Sequence, residues 1–342
     1  MHDVVIVGAG AVGLYLSGLL KGMNVVVLDK NKEIGKKADS GLYSANLRKF
    51  VPLDKKWTEH KIVSANLHSP EGEIIELKKQ STAAYVVDRE RFTRWLAGRS
   101  GGEIRLNVSV NSVDIKDRVV IKTNRGVLES RMLIGCDGAN SAVRRHFGVQ
   151  PEEIINGIIG ITKERNRNTF VDLFFDKKRI NDGFFWKIPR GETTEYGALG
   201  KNVNYRHLEG YFGIRDYEKR AAFMNVGLIK TFFHRALLVG EAACQVKPWS
   251  CGGVIYGFTC AGIARDVIME AFECGDFSEN FLKKYDDMWK ERLGKAIKLG
   301  MMFRKKLKES DNARLESYFR WGKRLGFLNK LDMDFPQAGV FG

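Results

Sequence analysis

Residues 4–30, VVIVGAGAVGLYLSGLLKGMNVVVLDK, decide the fold. An apolar run, Val4–Val7, breaks at Gly8-x-Gly10-x-x-Gly13, and a helix-compatible stretch leads to a second apolar run ending at Asp29, 16 residues after Gly13. Strand, glycine turn, helix and strand make a βαβ unit. Glycines also mark plain turns; the flanking elements give these their meaning. Gly8 permits a tight turn, Gly10 lets backbone approach a pyrophosphate, and Gly13 lets helix and strand pack closely. Ala11 and Val12 open the helix, whose first amides are offered to the anion. Asp29 suits ribose hydroxyls and disfavours a 2′-phosphate. The stretch predicts a dinucleotide site, with Lys30 and Val110 completing its expected contacts.

Further along, KIVSANLHSPEGEIIELKK predicts a hairpin turning at Ser69-Pro70-Glu71-Gly72, and a helix begins near Arg89. Alternating strands form a meander from Glu103 to Ile134. From about 151 to 234, strands rich in aromatic and basic residues predict an antiparallel sheet in a separate, inserted lobe. RALLVGEAA (235–243) returns to a buried strand and glycine turn, and a helix with small residues on one face follows. The expected domains are 1–50, 85–150 and 235–272 for the dinucleotide, 51–84 and 151–234 for the substrate lobe, and 273–342 as a basic helical segment.

The 342 residues are 44% hydrophobic, enough for two lobes. Five cysteines without metal-ligand spacing, and no basic leader before the first strand, predict a reducing cytoplasm and no bound metal. No apolar run is long enough to span a bilayer. The formal charge is +15, and residues 281–330 hold 15 Lys and Arg against 6 Asp and Glu. That segment reads either as a solvated basic helix packed by its apolar stripe or as a surface for an anionic partner. A lipid headgroup or the inner face of a membrane fits, giving an expected peripheral contact. Without zinc-finger spacing or an aromatic-basic RNA motif, no nucleic-acid partner is expected.

Two later motifs specify the dinucleotide. Asp137-Gly138-Ala139-Asn140-Ser141-Ala142-Val143-Arg144 resembles the Asp-Gly segment of flavoprotein hydroxylases, and Gly240-Glu241-Ala242-Ala243 resembles their late Gly-Asp-Ala-Ala segment. In those proteins the late acid binds a ribityl or ribose hydroxyl of FAD; Glu241 is one methylene longer. Arg89 matches an arginine that such proteins aim at the flavin. The resemblance implies FAD as cofactor. It also implies an α/β Rossmann-type FAD-binding domain of the para-hydroxybenzoate hydroxylase kind, with an inserted antiparallel-sheet substrate domain and a C-terminal helical segment.

Within that group the chain resembles the geranylgeranyl reductases over roughly residues 1–275. Ser40-Gly41-Leu42-Tyr43-Ser44 is similar to their early loop, with Asp39 where a cysteine often stands. Pro248-Trp249-Ser250-Cys251-Gly252-Gly253-Val254 is similar to their Pro-x-x-Gly-Gly-Gly-Ile loop beside the flavin ring, with Cys251 at the first glycine. With the early cysteine absent, a disulfide between these loops is not expected. Phe184-Phe185-Trp186-Lys187-Ile188-Pro189-Arg190-Gly191 matches their Tyr-x-Trp-x-Phe-Pro-Lys/Arg-Gly motif, which implies that Phe184, Trp186, Ile188 and Pro189 line a prenyl-chain cavity. A core strand ending in a turn also accounts for this stretch.

The resemblance implies an FAD-dependent oxidoreductase that saturates C=C bonds of geranylgeranyl chains on archaeal-type lipids, with hydride from N5 of reduced flavin. An isolated alkene needs a proton donor. Cys251 is the nearest candidate, and a small residue allowing close backbone approach is the rival reading. Two alternatives stand beside it: a flavin monooxygenase or halogenase, since Trp-x-Trp-x-Ile-Pro of flavin halogenases is close to residues 184–189, and a non-catalytic lipid-binding or electron-transfer flavoprotein. No second Rossmann unit is visible for a nicotinamide, so the electron donor is NAD(P)H bound transiently, ferredoxin or a membrane donor.

Overall fold

The computed structural model describes residues 1–36, 39–325 and 332–335. Part of the expected C-terminal segment, residues 326–331 and 336–342, lies outside the described residues. The chain divides into two units: 1–36, 90–153 and 225–298 in the first, and 37–89, 154–224 and 299–342 in the second.

The first unit is built on the stretch that opens the sequence. Strands His2–Val7 and Val25–Asp29 pair in parallel and flank the helix Ala11–Leu19. His2–Val7 also pairs in parallel with Gly126–Gly135, which pairs with Ala236–Leu238, while Glu103–Leu106 extends the other edge. Val4, Val5, Ile6 and Val25 to Leu28 are all buried. Both faces of a parallel sheet are covered, so its strands read as continuous apolar runs rather than alternating ones. The expected meander is antiparallel, Val110–Ile115 to Val119–Thr123 to Gly126–Gly135.

The helix Glu279–Glu309 begins in this unit. Leu282, Tyr285, Trp289, Leu293 and Ala296 recur at helical spacing and are fully buried. Polar pins fix the same face: Trp289 Nε1 donates to Thr231 Oγ1 (2.8 Å), which donates to Asp286 Oδ1 (2.7 Å).

The second unit holds two sheets. A seven-stranded sheet runs Glu218–Val226, Glu153–Thr162, Thr194–Gly200, Phe184–Pro189, Phe170–Phe174, Ser64–His68 and Ile74–Lys78. It departs from the expected antiparallel sheet where Phe170–Phe174 and Ser64–His68 pair in parallel. These two strands are remote in sequence, so no hairpin forces them antiparallel. The turn at Ser69–Gly72 closes the last pair as expected, with Ser69 Oγ accepting from Glu73 N (2.8 Å). A three-stranded sheet of Leu42–Ser44, Ala84–Val87 and Thr58–Ile62 lies in this unit. The expected boundaries place Leu42–Ser44 and residues 85–87 with the dinucleotide domain, and this pairing joins them to Thr58–Ile62.

Candidate functional site

In the first unit the glycine loop shows which glycines the protein itself requires. A Cβ on Gly8 would overlap the Cys136 carbonyl, and its φ of 110° lies where only glycine sits easily; a Cβ on Gly13 would overlap the Gly8 carbonyl. Gly10 differs. Its φ is an ordinary −78°, and apart from its chain neighbours nothing among the described residues lies within 4 Å of where its Cβ would be. No protein atom demands glycine there, so the open space in front of Gly10 fits a ligand that approaches the backbone.

Asp29, expected on ribose, also shapes this loop. Its Oδ2 accepts from Ala9 N (2.7 Å) and its Oδ1 from Asn31 N (2.8 Å). Each carboxylate oxygen retains a second lone pair for a hydroxyl. Lys30 is exposed beside it, while Val110 packs at the edge of the apolar cluster beneath the meander.

The Asp137 segment and the late glycine segment meet through a residue whose part the sequence did not reveal. Arg144, buried, donates from Nη2 to Ala139 O (2.6 Å) and from Nη1 to Ala242 O (3.1 Å). Ser141 caps the short helix Ala142–His146 by accepting from Arg144 N (2.8 Å). Asp137 Oδ2 accepts from Ala142 N (2.6 Å), whereas Oδ1 is buried with no hydrogen-bond donor among the described residues. Burial raises the pKa of that carboxyl. A buried acceptor without a donor is costly, and a hydroxyl of a bound group would satisfy it.

Val12 draws the motifs together. A Cβ on Gly240 would come within 3.0 Å of Val12 Cγ1, and one on Gly257 would overlap Val12 Cγ2. The glycine helix, the Gly240–Ala243 turn carrying Glu241 and the helix Val254–Cys274 are thus packed at a single point. Two residues outside every motif hold the turn: Gly240 N donates to Gln245 Oε1 (2.7 Å), and Gln245 Nε2 donates to Tyr285 Oη (2.8 Å). Tyr285 comes from the helix Glu279–Glu309, within the expected basic C-terminal segment.

Cys251 lies in the loop before the helix Val254–Cys274. Its φ is 57°, in the left-handed region, its amide donates to Lys247 O (2.7 Å), and Lys247 N donates to Gly252 O (3.0 Å). Side chains rarely adopt this conformation, which suits the glycine that the resembled motif has there. Gly253 caps the helix that Val254 begins. No disulfide links any of the five cysteines.

The remaining expected cofactor residues belong to the second unit. A Cβ on Gly41 would overlap Val87 O, so the early loop lies against the Ala84–Val87 strand. Asp39 organises this loop: Oδ1 accepts from Gly41 N (2.8 Å), Oδ2 accepts from Tyr43 Oη (3.1 Å), and Arg89 Nε lies 3.4 Å from Oδ2. Burial first, then Asp39, raises the pKa of Tyr43. The departure from cysteine at 39 therefore gives Arg89 a carboxylate neighbour.

The register of the seven-stranded sheet puts Phe184, Trp186 and Ile188 on one face. Across the pairings that face continues through Leu199, Gly197, Ile161 and Ile159 to one side and Leu173, Val171, Leu67 and Ala65 to the other. Of the four expected lining residues, Phe184, Ile188 and Pro189 are buried and Trp186 is half-buried. Gly197, directly opposite Trp186, has no room for a Cβ because the indole occupies it. A charged side chain lies on this face beside Ile188: Glu195, fully buried. Trp186 Nε1 donates to its Oε1 and Arg190 Nη1 to its Oε2, both at 2.9 Å. Desolvation pushes the pKa of Glu195 up to about 7 despite Arg190.

No protein-family model matches the chain. Digeranylgeranylglycerophospholipid reductase 2 of Methanopyrus kandleri is 29% identical over 358 aligned positions, spanning 92% of this chain and 89% of that protein. The protein of the same name from Methanothermobacter thermautotrophicus is 28% identical, spanning 98% and 97%. Among solved structures, a geranylgeranyl bacteriochlorophyll reductase-like protein from Thermoplasma acidophilum matches with a TM-score of 0.87 at 19% identity, covering 99% of this chain and 94% of its own. Halogenase PltM, solved with FAD, matches with a TM-score of 0.70 at 14% identity, covering 98% and 87%. The fold is that of FAD-dependent hydroxylases and their relatives.

Proposed function

We propose that this chain, a homologue of the digeranylgeranylglycerophospholipid reductases, is an FAD-dependent reductase that saturates C=C bonds of isoprenoid chains on archaeal-type glycerolipids. The observation that carries the reading beyond homology is the sheet face bearing Phe184, Trp186 and Ile188. A prenyl chain has nothing along it that needs a hydrogen bond, so a wall of aromatic and branched side chains suits it. Among the described residues of the first unit, the open backbone at Gly10, the donor-less Asp137 Oδ1 and the second lone pairs of Asp29 fit the pyrophosphate, ribityl and ribose parts of FAD. When bound and reduced, FAD supplies the hydride. The protein holds the flavin, orients the alkene and excludes water. Anaerobic incubation of dithionite-reduced protein with digeranylgeranylglycerophospholipid, followed by mass spectrometry, is expected to show a gain of one H2 per double bond. Unchanged lipid with flavin bound and reduced would refute the reading, and product formed only in air would move it to oxygen chemistry.

The left-handed backbone at Cys251 supports a turn role over that of proton donor. Cys251→Gly is expected to retain lipid reduction and to raise stability by about 1 kcal/mol, since the left-handed conformation penalises a side chain by about that amount. Denaturant titration and lipid turnover check it. A loss of turnover in a stably folded Cys251→Gly protein would restore the thiol as the donor.

The C-terminal helices support peripheral contact with an anionic bilayer. No described helix is long and apolar enough to cross a membrane. On the helix Asn312–Leu325, Arg320 and Lys323 pair with Glu71 and Glu73 of the hairpin beneath, at 3.2 and 2.7 Å. Arg314, Tyr318, Trp321 and Arg324, at helical spacing, form an exposed stripe. Interfacial aromatics flanked by cations suit the headgroup region. Trp321→Glu is expected to weaken binding to phosphatidylglycerol vesicles by about tenfold, and added salt to weaken wild-type binding, both read by co-sedimentation.

A further inference from the structure

Arg190 makes four contacts that the lipid-reductase reading leaves unused. Only 7% of its side chain is exposed. Its guanidinium meets Glu195 Oε2 at 2.9 Å and Glu59 Oε2 at 2.6 Å, and donates to Ser40 O (2.6 Å) and Val87 O (3.3 Å). One side chain thus joins the Phe184–Pro189 hairpin, the Thr58–Ile62 strand, the early loop and the end of the Ala84–Val87 strand. The two backbone carbonyls it holds immediately follow Asp39 and lie two residues before Arg89. The same buried carboxylate, Glu195, takes the Trp186 indole on its other oxygen. A planar fork with five donors reaches four acceptors in different directions; an ammonium cannot span them.

We propose that Arg190, with Glu195 as its buried counter-ion, is a positioning residue for lipid reduction: it locks the Asp39–Gly41 loop and the Arg89 side chain to the apolar wall at Trp186. The inference rests on the reductase reading, but its structural half is tested without turnover. Arg190→Lys is expected to raise hydrogen exchange at the Gly41, Leu42 and Tyr43 amides at least tenfold in the FAD-loaded protein. Exchange at the glycine loop, residues 8–14, and FAD affinity should stay unchanged. Single-turnover lipid reduction with saturating lipid should fall at least tenfold, with KM within threefold of wild type. Glu195→Gln removes the charge while keeping an acceptor for the indole, and is expected to move the Trp186 indole N–H resonance and to give an intermediate loss on both readouts.

Unchanged exchange at residues 41–43 in both variants would overturn the clamp. Raised exchange with undiminished single-turnover rate would overturn its positioning role. If Arg190→Lys fails to fold, Glu195→Gln decides on the same two readouts. A wild-type protein that reduces no lipid, with the exchange pattern as expected, would sink the reductase reading and leave the clamp standing.

Discussion

Gly10→Ala is expected to leave the apoprotein within about 0.5 kcal/mol of wild-type stability while weakening FAD binding about a hundredfold. The stability half follows from geometry: φ at 10 is ordinary, and apart from chain neighbours no atom of the described residues lies within 4 Å of the new methyl. The affinity half follows from what that space is for. A methyl there holds the pyrophosphate off the loop and the helix amides, and losing two charge-assisted hydrogen bonds costs about 3 kcal/mol. Gly13→Ala is the contrast, because its methyl would overlap the Gly8 carbonyl and disturb the fold with or without flavin. Flavin fluorescence titration beside thermal melts of apoprotein separates the two. Wild-type FAD affinity in Gly10→Ala would show that the loop cradles nothing.

Stability should also fall as pH rises through the range set by Glu195. Its carboxyl ordinarily titrates near 4.5 and here near 7, chiefly because burial disfavours the charged form. The folded protein therefore binds more protons than the unfolded chain between these values. The favourable contribution is fully present below pH 4.5 and is lost as pH rises toward about 7. The gap corresponds to about 3 kcal/mol. Burial also opposes the charge on Arg190, but Glu195 and Glu59 outweigh it and raise its pKa. The guanidinium thus stays charged on both sides of the transition, and Asp39 adds a smaller repulsion to Glu195. Glu195→Gln cannot titrate, so the difference between its denaturation profile and that of wild type, measured from pH 4.5 to 8, isolates the effect. Parallel profiles would place the titration elsewhere.

The first unit was readable because its determinants are local. Val4–Val7, the three glycines and Asp29 lie within one stretch, and each motif that packs on Val12 is contiguous. Glu195 was not readable, because its meaning comes from hairpin register: only the pairing of 184–189 with 194–200 puts it beside Trp186 and Ile188 on an apolar face. Arg144, Gln245 and Tyr285 escaped for a related reason. They act on backbone groups remote in sequence, and a side chain bound to carbonyls or amides leaves no residue pattern to search for. The parallel joint between Phe170–Phe174 and Ser64–His68 was equally invisible, since either direction of pairing buries the same alternate residues.

With the Trp186 indole lying where a Cβ on residue 197 would go, neither position can drift alone. A lineage that acquires any side chain at 197 must first shrink the residue at 186, and one that shrinks 186 first opens a void and strands the Glu195 oxygen that the indole satisfies. Each single step passes through a poorer protein, so exchange at these two sites should occur as a coupled pair or not at all. Among distant relatives, the pair then serves as a marker of shared descent for this wall, independent of the flavin motifs.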